Sequence, residues 1–456
     1  REAGESNQAS YGIAIGTFAG ATGQKSNGIA IGSDAGGSNQ GSNAIAVGEK
    51  AGFQTQDASA IAIGRNAGYT GQGSFNIAIG ERAGQTGQAG QNAIAIGQNA
   101  GGIDQGSNTV AIGQNAGNTS QSASALSLGH VAGNRNQGVA AIALGQAAGQ
   151  INQTANAIAI GQSAGNSNQG SNAIALGHLA GQTGQNESAV ALGFNAGNSN
   201  QGFKAIALGD DAGRVNQGEF AIAIGHNAGQ TGQNNDSIAI GFNAGGDSQG
   251  TGSIALGAFA GSTNLGENSI AIGTLSGPTG SNAIVLNASG TGLNPGASGF
   301  YVDPINTNSS GDTGNVLTYD ITTKSIVYNS AKTFIIDHPQ DANKYLIHGC
   351  LEGPENGVYY RGKATISDEK SVSISLPSYV QELASDFTIQ ITPVGSQKRA
   401  LDYSVSEVEN NQFTIYGSNG SYFWHVHGMR SALNVEPNKE DVEVHGDGPY
   451  KWYQTH

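Results

Sequence analysis

Asp337, His338, His348, Cys350 and Glu352 fall close together and are of the types that perform nucleophilic or metal chemistry. A nucleophile also needs a base and an orienting group in fixed geometry, and no flanking motif supplies them. Turn, strand and hydrogen-bonding roles fit these residues better, with Cys350 as a small buried side chain. In His425-Val426-His427 the two imidazoles would share one face of a strand. Three such strands meeting at a threefold axis could surround a transition metal; otherwise they are surface or interface histidines, and no metal is assigned. The acids Glu436, Glu440, Asp441 and Glu443 lack the alternating oxygen ligands and glycine turn of a calcium loop and read as a solvated face. Carboxylates such as Asp34, Glu49 and Asp104 do not recur in register, which speaks against a glycan-cleaving solenoid with paired acids. The abundant glycines have no Lys-Ser/Thr partner or helix start behind them, so they do not form a phosphate loop. Sequons such as Asn118-Thr119-Ser120 and Asn308-Ser309-Ser310 are expected by chance in so Asn/Ser/Thr-rich a chain. The sequence therefore predicts no enzyme, no cofactor and no metal site.

What the chain invests in is a scaffold. Of 456 residues 73 are glycine, only 11% are charged and 6% are aromatic, proportions wrong for compact globules. The bias is local: no proline precedes Pro278, and both tryptophans, Trp424 and Trp452, lie in the second part. A net charge of -14 argues against nucleic acid, which demands clustered Lys and Arg. One cysteine excludes an internal disulfide framework. No apolar run reaches the length of a membrane-spanning helix, and no signal peptide is visible; the opening at Arg1 is compatible with a leader or anchor upstream.

The block Ile13-Ala14-Ile15-Gly16 recurs seventeen times, its glycine at 16, 32, 48, 64 and 80 and then, after one extra residue, every 16 positions from Gly97 to Gly273. Apolar, Ala, apolar is a strand signature, with Ile, Val or Leu on one face and Ala on the other, broken only by Ser127. So constant a small face predicts close approach by another segment or another chain. Glycine after the strand and the Ala-Gly pair after it mark corners, so each unit is one turn of a coil. At the usual strand spacing of about 4.8 Å, seventeen turns make a rod roughly 80 Å long. A glutamine in every turn from Gln24 to Gln249, replaced by Leu265 in the last, predicts a hydrogen-bonded amide ladder, with ligand or ice binding as the other reading. The extra residue between Gln88 and Ile94 reads as a loop that leaves its neighbours in phase.

Blocks such as Asn43-Ala44-Ile45-Ala46-Val47-Gly48 and Asn172-Ala173-Ile174-Ala175-Leu176-Gly177 resemble the head repeats of trimeric autotransporter adhesins. The resemblance covers about residues 10–287 and implies a left-handed parallel β-roll with three rolls packed side by side. It departs from that family in its 16-residue unit, its regular Gln, and its lack of a coiled-coil stalk and membrane barrel. The constant Ala face offers a separate reason for close packing between chains.

From Asn282 the periodicity fades through Asn287, Gly290, Gly292 and Pro295, a Gly/Asn/Ser/Pro-rich connection. Strands around a turn at 320–324 predict a hairpin, joined to the roll by Phe300-Tyr301-Val302-Asp303-Pro304. Later β-branched and aromatic runs, among them Gly357 to Ile366, Phe387 to Thr392 and Ser421 to Val426, predict a β-sandwich, with a helical turn over Tyr379 to Ala384. The segments Phe334-Ile335-Ile336-Asp337-His338-Pro339, Lys344-Tyr345-Leu346, Glu352-Gly353-Pro354-Glu355 and Tyr359-Tyr360-Arg361-Gly362 resemble a C-terminal domain of large DNA virus and phage fibre proteins and some bacterial surface proteins. That resemblance implies a virion fibre and carries no catalytic residues.

The resulting expectation is an all-β chain: a lead-in over 1–9, a solenoid of about 17 turns over 10–287, a connector with a hairpin over 288–330 and a β-sandwich over 331–456. Its function is a homotrimeric extracellular fibre on a virus surface, a spacer shaft with a tip or assembly domain that attaches to a host. A bacterial cell-surface adhesin is the alternative. Partners are two further copies, a host glycan or protein receptor and an anchoring protein on the virion or cell, with no nucleic acid and no membrane insertion. Tyr422, Trp424, Tyr450 and Trp452 are the candidate receptor contacts, against the more ordinary role of aromatic core.

Overall fold

A computed structural model describes residues 2–88, 90–305, 316–319, 322–329, 333–338, 340–349, 357–368, 370–395, 402–430, 442–445 and 452–455. The chain divides into two compact units, Arg1–Thr307 and Asn308–His456.

The first unit is a parallel β-solenoid whose principal sheet has 19 strands. Residues 141–156 serve as a representative turn. Ile142–Leu144 pairs in parallel with Ile158–Ile160, each residue opposite its counterpart 16 positions on. The chain then turns at Gly145, where φ is +125° and a Cβ would lie 2.8 Å from the carbonyl oxygen of Gly161 in the next turn. Only glycine satisfies both demands. Ala147, Asn152 and Asn156 also take left-handed conformations, at φ of 56, 55 and 58°, which explains the frequent Asn at these corners. A second strand, Ile151–Gln153, closes the turn and pairs with Ser167–Gln169. The extra residue leaves the neighbouring strands in phase, with Ile77 opposite Ile94 and Ala78 opposite Ala95.

The predicted alternation is present, but the alanines are not the surface that meets another chain. Ala141, Ala143 and Ala148 are fully buried inside the turn together with Gln153, so the close approach comes from other segments of the same chain. The two sheets are too near to admit anything larger: a Cβ on Gly149 would sit 2.5 Å from Gln153 Oε1. Isoleucine, valine and leucine therefore line the outside, half-buried or exposed, as at Ile174, 36% exposed, and Ile206, 37%. The alanine column gives no reason for chain-to-chain packing.

The glutamines form the expected ladder. Gln137 Nε2 donates to Gln153 Oε1 at 3.2 Å, and Gln153 Nε2 donates to Gln169 Oε1 at 3.1 Å and to the Ile142 carbonyl at 2.7 Å. An amide such as Gln153 thus ties neighbouring turns together and also bridges the two sheets of its own turn. Ser127, the one break in the alanine column, is absorbed into this network: its hydroxyl donates to Gln137 Oε1 at 2.6 Å. Alanine buries little apolar area, so cohesion leans on these bonds more than in an ordinary core. Gln153→Ala is expected to cost about 2–4 kcal/mol, from two lost amide partners and a cavity. Chemical denaturation measures it; a midpoint shift no larger than that of exposed Gln146→Ala would refute the assignment.

Two more strands extend the stack. Ala283–Asn287 and Gly299–Asp303 pair in parallel and in register with each other, and the first also pairs with Ile270–Ile272. Phe300 to Asp303, expected as a linker, is thus a further rung.

The second unit is antiparallel. Val316–Tyr319 and Ile326–Asn329 form the predicted hairpin, and Thr333–His338 pairs with Asp341–Gly349. Two three-stranded sheets follow: Gly420–Met429 runs between Gly357–Ile366 and Ser385–Val394, while Gln412–Gly417 runs between Ser371–Ser375 and Tyr403–Val405. They share one core of Ile366, Ile374, Val380, Phe413, Ile415, Tyr422 and Val426, as a sandwich requires. The helical turn is Val380–Leu383.

Candidate functional site

The sheet centred on Gly420–Met429 fixes a surface through simple alternation. Tyr422 and Val426 point into the core and are fully buried, with Trp424 partly buried beside them, while Phe423 and His425 are exposed on the opposite face. Register then aligns the outward residues in rows. Arg361, His425 and Gln390 form one row across the three strands, Lys363, Phe423 and Thr392 the next, and Tyr359, His427 and Thr388 the third. Tyr359 packs edge-on to His425 at 5.6 Å between ring centroids, and Lys363 Nζ lies 6.0 Å from the centroid of Phe423. A cavity of about 660 Å³ opens here, lined by Tyr359, Arg361, Gln390, Thr392, Phe423 and His425, with Gly362 and Trp424. Gly362 is required: a Cβ there would stand 2.4 Å from Trp424 Cζ2.

On the core side of the same strand, burial beside Tyr379 pushes the Tyr360 phenol up to about 12. At the next turn, backbone N–H groups of Lys370 and Ser371 donate to Asp368 Oδ1 at 3.0 and 3.2 Å and hold its carboxyl below the usual range.

The four aromatic candidates are dispersed. Tyr422 is core: it is 0% exposed and its hydroxyl donates to the Ser418 carbonyl at 2.7 Å, which removes it from the contact set. Trp424 packs edge-on to Phe413 at 5.6 Å and also lines the cavity. Trp452 lies in the strand Trp452–Thr455, opposite His445, and Tyr450 lies outside the described residues.

His425 and His427 share one face as expected, their ring centroids 6.5 Å apart, but among the described residues no group of three or more His, Cys, Asp or Glu is placed to hold a metal. Asp337 pairs with Tyr345 and His338 with Asp341, whereas His348 pairs with Phe334 nearer the other end of that ladder. Cys350 and Glu352 lie outside the described residues, as do Glu436, Glu440 and Asp441; Glu443 pairs with Gln454.

Sequence reasoning did not single out Tyr359, Arg361, Gln390, Thr392 and Phe423, which line this cavity. Their signal was the aliphatic set Ile389, Ile391 and Val426, which marks the core face and so sets Phe423 and His425 on the outward one, whereas Tyr422 is buried and Trp424, half-buried, still lines the cavity.

The solenoid presents a second surface, its aliphatic outer stripe. Near it run ring contacts between successive turns, His178 with Phe194 at 5.4 Å, His226 with Phe242 at 5.4 Å and Phe242 with Phe259 at 5.0 Å.

A family model, the YadA head domain repeat, matches residues 248–276 in two copies. No curated protein and no solved structure matches the chain. The repeat match falls within the parallel solenoid and agrees with a β-roll architecture like that of the adhesin head repeat it resembles. No helix among the described residues is long and apolar enough to cross a membrane.

Proposed function

We propose that this chain is a non-enzymatic surface fibre that attaches to a host, with the solenoid as spacer and the C-terminal unit as tip, assembled from three copies. The observation that carries the reading is the outer stripe: the repeated strands turn aliphatic side chains outward turn after turn, half-buried or exposed, in a continuous apolar surface of the kind that marks an interaction site. A second copy of the same periodic surface is the partner such a stripe fits, and likeness to trimeric adhesin heads supports three. The C-terminal unit, unique where the turns are nearly identical, would also set the alignment of chains that could otherwise pair one repeat out of step.

A virion surface is the location we favour, on the resemblance of the C-terminal segments to viral fibre domains. A bacterial cell surface is favoured instead by the match to the YadA head repeat. Immunogold labelling of purified particles and intact cells from the source separates them: label on particles is the expected result, label on cells selects the bacterial reading, and label on neither overturns surface attachment.

A further inference from the structure

We propose that the outward face of the sheet Gly357–Ile366, Gly420–Met429 and Ser385–Val394 is a subsite for an acidic saccharide, one whose sugar carries a carboxylate or a sulfate. The inference rests on the attachment reading and names its ligand class. Charge is the first observation. The chain carries a net charge of -14, yet this face displays Arg361, Lys363 and the imidazoles of His425 and His427, and the three strands hold a single carboxylate, Asp386, at the bulge between Ser385 and Thr388. An anion is the complement of that field.

Arrangement is the second observation. A guanidinium offers a rigid planar fork of donors that matches a carboxylate or sulfate in two parallel hydrogen bonds. Arg361 stands at the end of a row that continues through the His425 imidazole to the Gln390 amide, with the Thr392 hydroxyl one row on. Guanidinium, imidazole, amide and hydroxyl in one patch give donors for the anion and both donors and acceptors for sugar hydroxyls. Two exposed rings supply the flat apolar area that a sugar face covers: Tyr359, 50% exposed, and Phe423, 52%. Both line the cavity with Arg361, and its volume of about 660 Å³ is in the range of small-ligand clefts. Nucleic acid would need a longer track of cations than this face holds, and a strand-adding peptide needs a free sheet edge, whereas these rows lie across the sheet face.

Full-length protein is tested by calorimetry against three hexasaccharides: a heparin fragment for sulfate, a hyaluronan fragment for carboxylate and maltohexaose as the neutral control. Binding to one or both acidic sugars and not to maltohexaose is expected; hyaluronan binding shows that a carboxylate suffices, and binding of heparin alone shows that sulfate is required. Arg361→Gln should weaken binding by about tenfold or more, the loss of a charge-assisted pair, and Phe423→Ala should also weaken it. Both positions are exposed, so folding is preserved, and unchanged circular dichroism verifies this. Lys204→Gln, an exposed cation on the solenoid, should change nothing. Binding to neither acidic sugar overturns the proposal; so does an equal loss with Lys204→Gln, which would mean general charge attraction. Arg361-dependent binding to phosphatidylserine vesicles without sugar binding also overturns it, since the occupant would then be a membrane. Surface-displayed protein that ignores both acidic sugars sinks this subsite alone; sugar binding by a protein absent from every surface sinks the attachment reading alone.

Discussion

Ala159→Leu will destabilise the solenoid while Ile160→Ala, one residue on, will leave the isolated fold nearly unchanged. Ordinary intuition about hydrophobic strands gives the reverse order, because isoleucine is expected in the core and alanine is tolerated anywhere. Here Ala159 is fully buried and stacked between Ala143 and Ala175, with Ala148 and Ala164 close by in the same core column. The buried amides Gln153 and Gln169 flank that column and cannot retreat without breaking the ladder. Three added carbons have no space, and overpacking of this kind costs about 3 kcal/mol or more when the surrounding backbone is stacked on both sides. Ile160 lies on the outer face, half-buried, so truncating it costs an unassembled chain less than about 1 kcal/mol. Denaturation midpoints of the two variants decide the matter. If Ala159→Leu were silent, the interior would not be where the alanines are.

The second large effect concerns assembly. Ile158→Lys, Ile174→Glu, Val190→Lys and Ile206→Glu, made together, should convert the proposed trimer to monomers, a fall to about one third of the mass in light scattering. These residues are consecutive partners in the parallel ladder, Ile158 with Ile174, Ile174 with Val190 and Val190 with Ile206. Alternating the sign of charge lets neighbours on one chain pair, so that the rod itself is not driven apart, while the buried charges at a packed interface go unpaired or misaligned. Circular dichroism should be unchanged. A variant that stays trimeric would show that the stripe is not the contact, and a wild-type protein that is monomeric at micromolar concentration would remove the trimer altogether.

The solenoid was legible because its signals are local and repeated. Gly145 and its counterparts, the alternation through Ala143 and the glutamine of each turn each recur in register, and each maps onto one corner, strand or ladder bond. Which face was inside was not legible from alternation, since period two gives two faces and no label. The interior is decided by the distance between sheets, a property of the whole turn, and here it selects alanine. The same limit applied in the C-terminal unit. The strand over Ser421 to Val426 was readable, but not that Tyr422 faces the core and Phe423 the cavity. That follows only from pairing with Gly357–Ile366 and Ser385–Val394, some 30 to 60 residues upstream in sequence. Arg361 and Gln390 become neighbours through His425 alone, and no spacing announces it.

The amide ladder also has a mechanical consequence. Its bonds run along the stack, so tension applied between the ends of the solenoid passes through every turn in series, and the turn with the fewest bonds sets the strength of the whole. Among the described residues Gln24 Oε1, Gln88 Oε1 and Gln249 Oε1 accept no hydrogen bond, whereas every ladder oxygen from Gln40 to Gln72 and from Gln105 to Gln233 is engaged by the turn before it. The second sheet thins at the same places, where Thr22, Thr86 and Asp247 are held by isolated bridges in place of strands. A rod of nearly identical turns thus has three built-in yield points, the first close to its N-terminal end, and between them segments that each carry load as one piece.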